Sequence, residues 1–482
     1  MSLKTMDRLQ SKKTEKAPLQ HVIDGGYCIG CGVCAAFDRN IGISLDETGR
    51  LQAVIPKGHR PLQIASKVCP FAGEGLDEDM LAQNLFNAPD VAEDASIGRH
   101  LTCYAGWVSE GQFRERGSSG GMGSWLQYEL LRLGYVDAIL NVEPLRGSSD
   151  ARIFAFKVCH SAEEVIANSK TRYYPVEMSG VIKHVLDKPG RYAIIGTPCF
   201  VKAIRLAAIH SPELQQRIKF ALGIVCGHLK TTAFSDALAE QCGIDPSQIE
   251  TIDFRTKLAG RPASRYGVSI SGRRSDSVSQ TATRPMEGLI ASDWGHGLFK
   301  YKACEFCDDV LAETADAVVG DAWLPRYDSD HLGANIVVAR NQVVLELIER
   351  ARREGRLQLD ELTAAEVAQS QAGGLRHRRE GLSYRLWLTD KAGEWRPKKR
   401  VSPGRRHLSP SMRRLHEARF ALGQVSHLLW QDSPNFEVFA SRIAPHIAAY
   451  DNLLRPTVAK RVLNFLFREL DSMLFRLGLR RN

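Results

Sequence analysis

The chain of 482 residues is 44% hydrophobic and 25% charged, with a formal net charge of +9. This composition indicates a globular protein with more than one hydrophobic core. No apolar run reaches about 18 residues, which excludes a membrane-spanning helix, and the polar, lysine-rich N-terminus is unlike a secretory signal. We therefore expect a cytoplasmic protein in which the 11 cysteines are metal ligands or buried thiols and not disulfides.

The chain divides into regions of different pattern. Residues 1–20 are predicted to be a flexible tail, and residues 21–95 a small loop-rich module with four cysteines among many glycines. From residue 96 to 372, short apolar strands alternate with helices, which predicts a mixed α/β domain with crossover connections. Within it, residues 251–285 alternate in polarity and lack a helical pattern, so we expect a β insertion there.

The C-terminal part holds the positive charge. From Ala372 to the end there are 22 Lys and Arg against 9 Asp and Glu. Residues 373–412 are rich in Arg, Gly and Pro, which is typical of a linker, and residues 413–482 are predicted to form a helical basic extension. Apolar residues from Thr457 to Leu477 recur on one helical face. That helix either packs on protein, which we favour, or lies on an anionic membrane surface.

A first cysteine set opens the N-terminal module with three thiols at two-residue spacing: Cys28, Cys31 and Cys34. The spacing lets one tight loop present three thiolates to three corners of a cubane cluster. The bacterial ferredoxin run would place the fourth cysteine at position 38, where this chain has Asp38, so Cys69 before Pro70 is the natural substitute. The alternatives are a zinc site, which rarely uses this triple spacing, and structural thiols.

A second cysteine set is built around the pair Cys304 and Cys307, whose spacing is also typical of a redox dithiol or half a zinc ribbon. Cys199 and Cys226 each follow a predicted buried strand. Because the carboxyl ends of parallel strands meet at one sheet edge, these thiols can converge with the pair into a four-thiolate cage. The remaining cysteines are predicted to be buried thiols: Cys103, Cys159 and Cys242.

A glycine-rich turn, Gly117 to Gly121, leads into a predicted helix from Met122. Small residues bring the backbone close to a ligand, and the helix start offers unpaired amides and a positive dipole end. This suits a phosphate or the polar edge of a flavin. The alternative is a simple helix start capped by Ser118 or Ser119, because the turn is neither a G-x-G-x-x-G nor a Walker sequence.

Five stretches of the chain resemble, in the same order, the coenzyme F420 hydrogenase/dehydrogenase beta-subunit family, whose coenzyme is a deazaflavin. They are CIGCGVC with VCPFAGEG, RGSSGGMGSWLQYELLRLGYVDAIL, IGTPCFVKAIR, GIVCGH and KACEFCDDVLAETADAVVGDAW. The family includes 7-hydroxymethyl chlorophyll a reductases and ferredoxin-dependent divinyl chlorophyllide reductases. The resemblance spans residues 26–362 and implies one FAD and one or two cubane clusters per chain.

The resemblance also implies which residues bind these groups. Two 4Fe–4S clusters are expected at the two cysteine sets: Cys28, Cys31, Cys34 and Cys69, and Cys199, Cys226, Cys304 and Cys307. The residues expected beside the flavin are Ser118, Ser119, Gly120, Gly121, Lys170, Tyr173, Gly196 and Thr197. The catalytic acid stays unassigned, with His228, Asp321 and His331 as candidates near strand ends. Nothing in the sequence matches a chlorophyll or deazaflavin pocket, so the substrate is not inherited.

The predicted fold class is α/β, with a small N-terminal ferredoxin-like iron–sulfur module, a central mixed α/β flavin domain and a helical C-terminal extension. The predicted function is that of an oxidoreductase passing electrons from ferredoxin or coenzyme F420 through two 4Fe–4S clusters and FAD to an unidentified acceptor. The alternative is an electron-transfer subunit, without a substrate of its own, that docks on a partner enzyme or a second copy through the C-terminal helices. No nucleic-acid partner is expected, because the basic segment lacks interleaved aromatic residues.

Overall fold

The structure of the protein, a computed structural model, describes residues 17–145, 152–274, 276 and 278–455. None of the helices in these ranges is both long enough and apolar enough to cross a membrane. Helix α1 begins at Pro18, because a proline at the start of a helix has its φ already set. Residues 18–20 are therefore helical and not part of the expected tail, and residues 1–16 lie outside the described ranges.

The N-terminal region consists of short helices and two small hairpins. Its elements are α1 (Pro18–Asp24), α2 (Val33–Phe37), β1 (Gly42–Leu45), β2 (Leu51–Val54), α3 (Gln63–Lys67), α4 (Glu78–Leu85), β3 (Ala92–Asp94) and β4 (Gly98–His100). Strands β1 and β2 pair antiparallel, as do β3 and β4. Leu19, Val33 and Phe71 share one hydrophobic core with Ile182 and Val201 further along the chain. The region therefore packs directly on the central domain.

The first half of the central domain alternates strands and helices. Its elements are β5 (Thr102–Val108), α5 (Phe113–Arg116), α6 (Met122–Arg132), β6 (Ala138–Pro144), β7 (Phe154–Cys159), α7 (Ala162–Ala167), α8 (Ser179–Asp187), β8 (Tyr192–Gly196), α9 (Pro198–His210), α10 (Pro212–Arg217), β9 (Ile218–Ile224) and α11 (Thr232–Gln241). The second half contains β10 (Ile249–Thr256), β11 (Gly267–Arg273), β12 (Ser279–Pro285), β13 (Ala317–Asp321), α12 (Pro325–Asp328), β14 (Asn335–Ala339), α13 (Gln342–Arg353), β15 (Leu357–Leu362) and α14 (Ala364–Ser370).

Eight strands form one mixed sheet in the order β15-β5-β14-β13-β9-β8-β6-β7. Strands β6, β8, β9 and β13 run parallel to one another, and the other pairs are antiparallel. Helices cover both faces, with α8 and α9 on one face and α6 and α13 on the other. Strands β8 and β14 are buried along their whole length, which explains their continuous apolar sequence. The predicted mixed α/β domain is confirmed.

Three strands form a separate antiparallel sheet in the region where a β insertion was expected. The order is β10-β11-β12, and paired Ser and Thr hydroxyls on its exposed face explain the polar alternation. Its other face contributes Phe254 and Ile270 to a third core that also contains Phe234 of α11. The insertion is thus fixed against the central domain and does not stand apart from it.

The C-terminal part of the chain contains four helices: α15 (Ala372–Arg378), α16 (Glu380–Lys391), α17 (Pro410–Gln431) and α18 (Phe436–Leu454). The helical C-terminus is thus confirmed by α17 and α18. Residues 373–412, expected to be a linker, instead include α15 and α16. The composition wrongly predicted a linker, because arginines such as Arg378 and Arg385 are buried against the central domain and not exposed to solvent. Helices α17 and α18 pack on α11 and the insertion through residues such as Phe439. The amphipathic helix expected at Thr457–Leu477 lies outside the described residues.

Candidate redox site

The four thiols of the first cysteine set line one small cavity in the N-terminal region. Gly30 and Gly32 have positive φ values of 65° and 79°, which lets the loop turn tightly enough to aim three cysteines inward. Gly32 is also the N-cap of α2, so Cys34 lies in the first turn of that helix. Cys69 approaches from the end of α3, and the substitute ligand predicted from the sequence therefore reaches the same cavity.

The environment of this set suits thiolates that are bound to a positive centre. The amides of Gly30 and Ala53 donate to the Cys28 Sγ at 3.5 and 3.3 Å. Burial, together with the neighbouring thiols, raises the pKa values of Cys31 and Cys34 well above the usual range. Such thiols ionise only when a cation compensates them, as a metal ion or an iron–sulfur core does.

Asp38, which stands where a ferredoxin would have its fourth cysteine, has a structural role. Its carboxylate accepts hydrogen bonds from the Leu62 amide and from His59, each at 2.9 Å. Burial alone would raise the pKa of Asp38, but these hydrogen bonds hold it below the usual range. Because Leu62 is the N-cap of α3, Asp38 anchors the segment that delivers Cys69.

The second cysteine set lies at the carboxyl edge of the parallel strands. Cys199 is in the first turn of α9 after β8, and Cys226 follows β9, the neighbouring parallel strand. Cys304 and Cys307 lie in the connection before β13, and the Cys226 amide donates to the Val310 carbonyl of that connection at 3.1 Å. Burial raises the pKa of Cys199, and the thiols of the other three cysteines raise it further. The four thiols are therefore close neighbours.

Hydrogen-bond donors surround this second set. The Leu229 amide donates to the Cys304 Sγ at 3.2 Å, and the Thr197 hydroxyl lies 3.6 Å from the Cys199 Sγ. Arg378 of α15 donates to the Cys307 Sγ at 2.7 Å. Donors to cysteine sulfur stabilise the negative charge of a metal-bound thiolate. The sulfur atoms and their donors thus fit an iron–sulfur cluster.

The loops that hold the two sets touch each other. Tyr27, next to Cys28, packs edge-on against Phe306, next to Cys307, with ring centroids 4.9 Å apart. The Leu51 amide donates to the Tyr301 hydroxyl at 2.8 Å. No three His, Cys, Asp or Glu side chains in the described ranges converge tightly enough to bind one metal ion. A cubane core binds each thiolate at a different iron, so its ligands stand farther apart than those of one ion.

The glycine-rich turn lies at the same sheet edge, after β5. Gly121 is the N-cap of α6 with a φ of 87°, and the Met122 amide donates to the Asn335 side chain at 3.0 Å. Ser118 accepts from the Thr171 amide, and the Ser119 hydroxyl donates to the Ala334 carbonyl. Both serine side chains are thus engaged by protein, although neither caps α6. A ligand at this turn would therefore be contacted mainly by backbone atoms.

Lys170 and Tyr173 lie in the segment before α8, whose Thr171 amide contacts this turn through Ser118. Lys170 pairs with Asp253 of the insertion at 2.8 Å, and Tyr173 packs edge-on against Trp294. Gly196 ends β8 and Thr197 is the N-cap of α9 at the same edge, where Gly123 of α6 lies beside Ile195. The sequence-predicted flavin residues therefore collect around one edge of the sheet.

Two cations near the turn, Lys257 and Arg172, have no ion pair with another described residue. Lys257 of the insertion donates to the Ser119 carbonyl at 3.3 Å, and burial together with the nearby Lys170 and Arg114 lowers the pKa of Lys257 to about 8. The Nε of the half-buried Arg172 has no hydrogen-bond partner among the described residues, and burial lowers the pKa of Arg172 to about 10. Half-buried cations near a glycine-rich turn and aromatic rings fit the diphosphate and ring of a flavin dinucleotide.

The three candidate proton donors differ in their surroundings. His228 follows Cys226 and packs against Trp294, and its Nε2 is buried without a partner. Burial, then Lys230 and Lys300, hold the pKa of His228 well below the usual range, so the ring is neutral at pH 7. Asp321 accepts from Arg255 at 2.5 and 3.0 Å, and His331 is exposed beside Asp330.

Comparison with known proteins assigns the family. The N-terminal profile of the coenzyme F420 hydrogenase/dehydrogenase beta subunit matches residues 103–183, and the C-terminal profile of the same subunit matches residues 190–365. The chain belongs to this family. The match includes the second cysteine set and the glycine-rich turn, but neither the first cysteine set nor the residues after 365. Membership supports an oxidoreductase or an electron-transfer subunit.

One curated protein and one solved structure are similar to parts of this chain. The coenzyme F420-dependent sulfite reductase of Methanocaldococcus jannaschii is 22% identical over 358 residues, which is 70% of this chain and 50% of that protein. The chain thus spans about half the length of this curated relative. A chain of the F420-reducing NiFe hydrogenase complex of Methanosarcina barkeri superposes with a TM-score of 0.45 at 15% identity, over 60% of this chain and 92% of the other.

The structure adds residues to the site that the sequence did not suggest. Arg378 contacts the second set, Lys257 contacts the glycine-rich turn, and Trp294 packs on Tyr173 and His228. One signal was available for Arg378. Four acidic residues follow or separate the cysteines in the sequence CEFCDDVLAE, and a buried acidic loop requires cations from elsewhere.

Proposed function

We propose that the protein is an F420-linked iron–sulfur flavoprotein oxidoreductase of the cytoplasm. In this proposal the two cysteine sets hold two 4Fe–4S clusters, the glycine-rich turn binds FAD, and a reduced carrier, coenzyme F420 or ferredoxin, supplies electrons for an acceptor. When bound, the clusters supply one-electron steps and the flavin converts between one- and two-electron steps. The F420 link rests on the family and on the named activity of the sulfite reductase relative.

The observation that carries the proposal is the arrangement of the two cysteine sets. Each set brings four thiols together, the loops that bear them touch through Tyr27 and Phe306, and the second set shares a sheet edge with the glycine-rich turn. Direct contact between the loops favours electron transfer between the two proposed clusters. The cations Lys257 and Arg172 favour an anionic cofactor at the glycine-rich turn.

A second candidate function is an electron-transfer subunit without its own substrate. It is favoured by one observation, namely that the chain spans only half of its sulfite reductase relative. In the preceding segment, residues 373–412, the positive charge is partly neutralised inside the molecule. Arg385, Lys399 and Arg400 pair there with buried acids of the central domain. Docking in this second function would therefore fall to the helices of residues 413–482, as the sequence predicts.

Anaerobic reduction of the purified protein tests this function. Reduced coenzyme F420 or reduced ferredoxin should bleach the visible absorbance of bound flavin and clusters, whereas NADH and NADPH should not, since the sequence contains no dinucleotide fingerprint. Bleaching by NADH or NADPH alone would contradict the proposed carrier. Bleaching by F420 followed by reoxidation only when a partner protein is added would favour the electron-transfer subunit.

A further inference from the structure

We infer that Arg378, in the C-terminal extension, raises the reduction potential of the cluster proposed at Cys199, Cys226, Cys304 and Cys307. The inference rests on the proposed function, because it requires a cluster at this second set. It goes beyond the family match, which ends at residue 365. Arg378 would thus be a positioning and tuning residue that this chain's own extension adds to the site.

The guanidinium of Arg378 is held rigidly and aimed at the sulfur atoms. The residue is 2% exposed. Its Nη1 donates to the Cys307 Sγ at 2.7 Å and to the Asp309 carbonyl at 2.8 Å. Its Nη2 donates to the carbonyls of Cys226 and Gly227 at 3.0 and 2.6 Å and lies 3.8 Å from the Cys226 Sγ. Three carbonyls therefore fix the plane of the group, and two cysteines of the set receive its charge.

Among the described residues, no carboxylate pairs with the charge of Arg378. The neighbouring Arg379 pairs with Glu313 at 2.8 Å, and Arg385 pairs with Glu305 at 3.1 Å. For Arg378, the described part of the chain offers no carboxylate within ion-pair distance. Because a buried, unbalanced guanidinium is costly, the negative charge that matches it is that of the cysteine sulfurs.

Neighbouring residues of the extension hold the C-x2-C loop against Arg378. His377 pairs with Glu305 at 3.0 Å, and Arg385 donates to the Glu305 carbonyl at 2.8 Å. Further along, Lys399 pairs with Asp308 at 3.3 Å. These contacts fix the loop on both sides of Cys307. The distance between Arg378 and this sulfur is therefore set by the fold and not by a mobile side chain.

The direction of the effect follows from charge. One-electron reduction, by ferredoxin directly or by coenzyme F420 through the flavin, adds one negative charge to the cluster and its thiolates, with no bond made or broken in the cluster. A positive charge and a hydrogen bond at the sulfur stabilise the reduced state more than the oxidised state. Removing the guanidinium should therefore lower the potential of this cluster and leave the first set unaffected.

The test is an EPR-monitored redox titration of the full-length, anaerobically purified protein. In Arg378→Gln, the equilibrium constant for one-electron reduction of the cluster at the second set should fall at least tenfold, which lowers its midpoint potential by about 59 mV. The midpoint potential of the cluster at the first set should stay unchanged. Arg378→Lys should give a smaller shift. The matched control Arg379→Gln, whose side chain does not contact sulfur, should change neither midpoint.

Iron content separates failure of the inference from failure of the proposed function. Unchanged midpoints in both Arg378 variants, with about eight irons retained, would overturn the inference alone. If Arg378→Gln loses iron, Arg378→Lys decides: a lowered midpoint supports tuning, and an unchanged one overturns it. If the wild-type protein binds iron at the first set only, both the proposed function and the inference are overturned.

Discussion

Serine in place of both Cys304 and Cys307 should halve the iron of the anaerobically purified protein, from about eight atoms per chain to about four. Both thiols are 6% exposed and belong to the set that also contains Cys199 and Cys226. Two remaining thiolates cannot hold the iron–sulfur core of the second set. The first set lies in the N-terminal region, so its iron should be retained. Iron analysis and visible absorbance of the variant measure the loss.

The matched control for this prediction is Cys242→Ser. Cys242 is also buried, at 7% exposure, but it follows α11 and contributes to the core shared with the insertion. Its substitution should leave the iron content unchanged. Equal iron loss in the control and the double variant, or full iron in the double variant, would contradict the assignment of the second set.

Arg400→Met should lower the free energy of unfolding by about 3 kcal/mol, because it leaves buried carboxylates without their cation. The Arg400 guanidinium contacts Glu313 through both terminal nitrogens, at 2.7 and 2.9 Å, and its Nε lies 3.6 Å from Asp308. Both acids are almost completely buried. Lys399 and Arg379 would still face these acids, which keeps the expected loss at the lower end for a broken buried pair.

The control is Arg396→Met in the same segment. Arg396 pairs with Asp390 at 2.7 Å, and the carboxylate is 42% exposed, so its loss should cost less than about 1 kcal/mol. Urea denaturation of the anaerobic holoprotein measures both variants. Equal destabilisation by the two substitutions would contradict the contacts of Arg400 with Glu313 and Asp308.

Several parts of the structure could be predicted because they follow from local pattern. The apolar runs at residues 192–195 and 336–339 predicted strands, and the structure has buried strands there, Tyr192–Gly196 and Asn335–Ala339, inside the mixed sheet. The location of Cys199 and Cys226 after neighbouring parallel strands predicted their approach, since such strands end at one edge. In each instance a few consecutive residues contain the whole signal.

Other features depend on partners distant in the chain, which composition does not reveal. Residues 373–412 have a linker-like composition, yet Arg378 and Arg385 find buried partners 70 to 80 residues earlier in the sequence. The sequence marks Asp38 only as the residue in place of a cysteine, and its anchoring role depends on His59 and Leu62, which bind it from more than 20 residues away. The hydrogen bonds of the Ser118 and Ser119 side chains to Thr171 and Ala334 were not foreseen either, while the place of these serines beside a flavin stays a prediction. Long-range pairing decided each of these outcomes.

The most direct test of two clusters is a combined count of iron, acid-labile sulfide and flavin, with Mössbauer spectra of the anaerobically purified protein. The account predicts about eight irons and eight sulfides per chain, all in cubane form, and one FAD. Four or fewer irons per chain, or zinc in place of iron at either cysteine set, would contradict it.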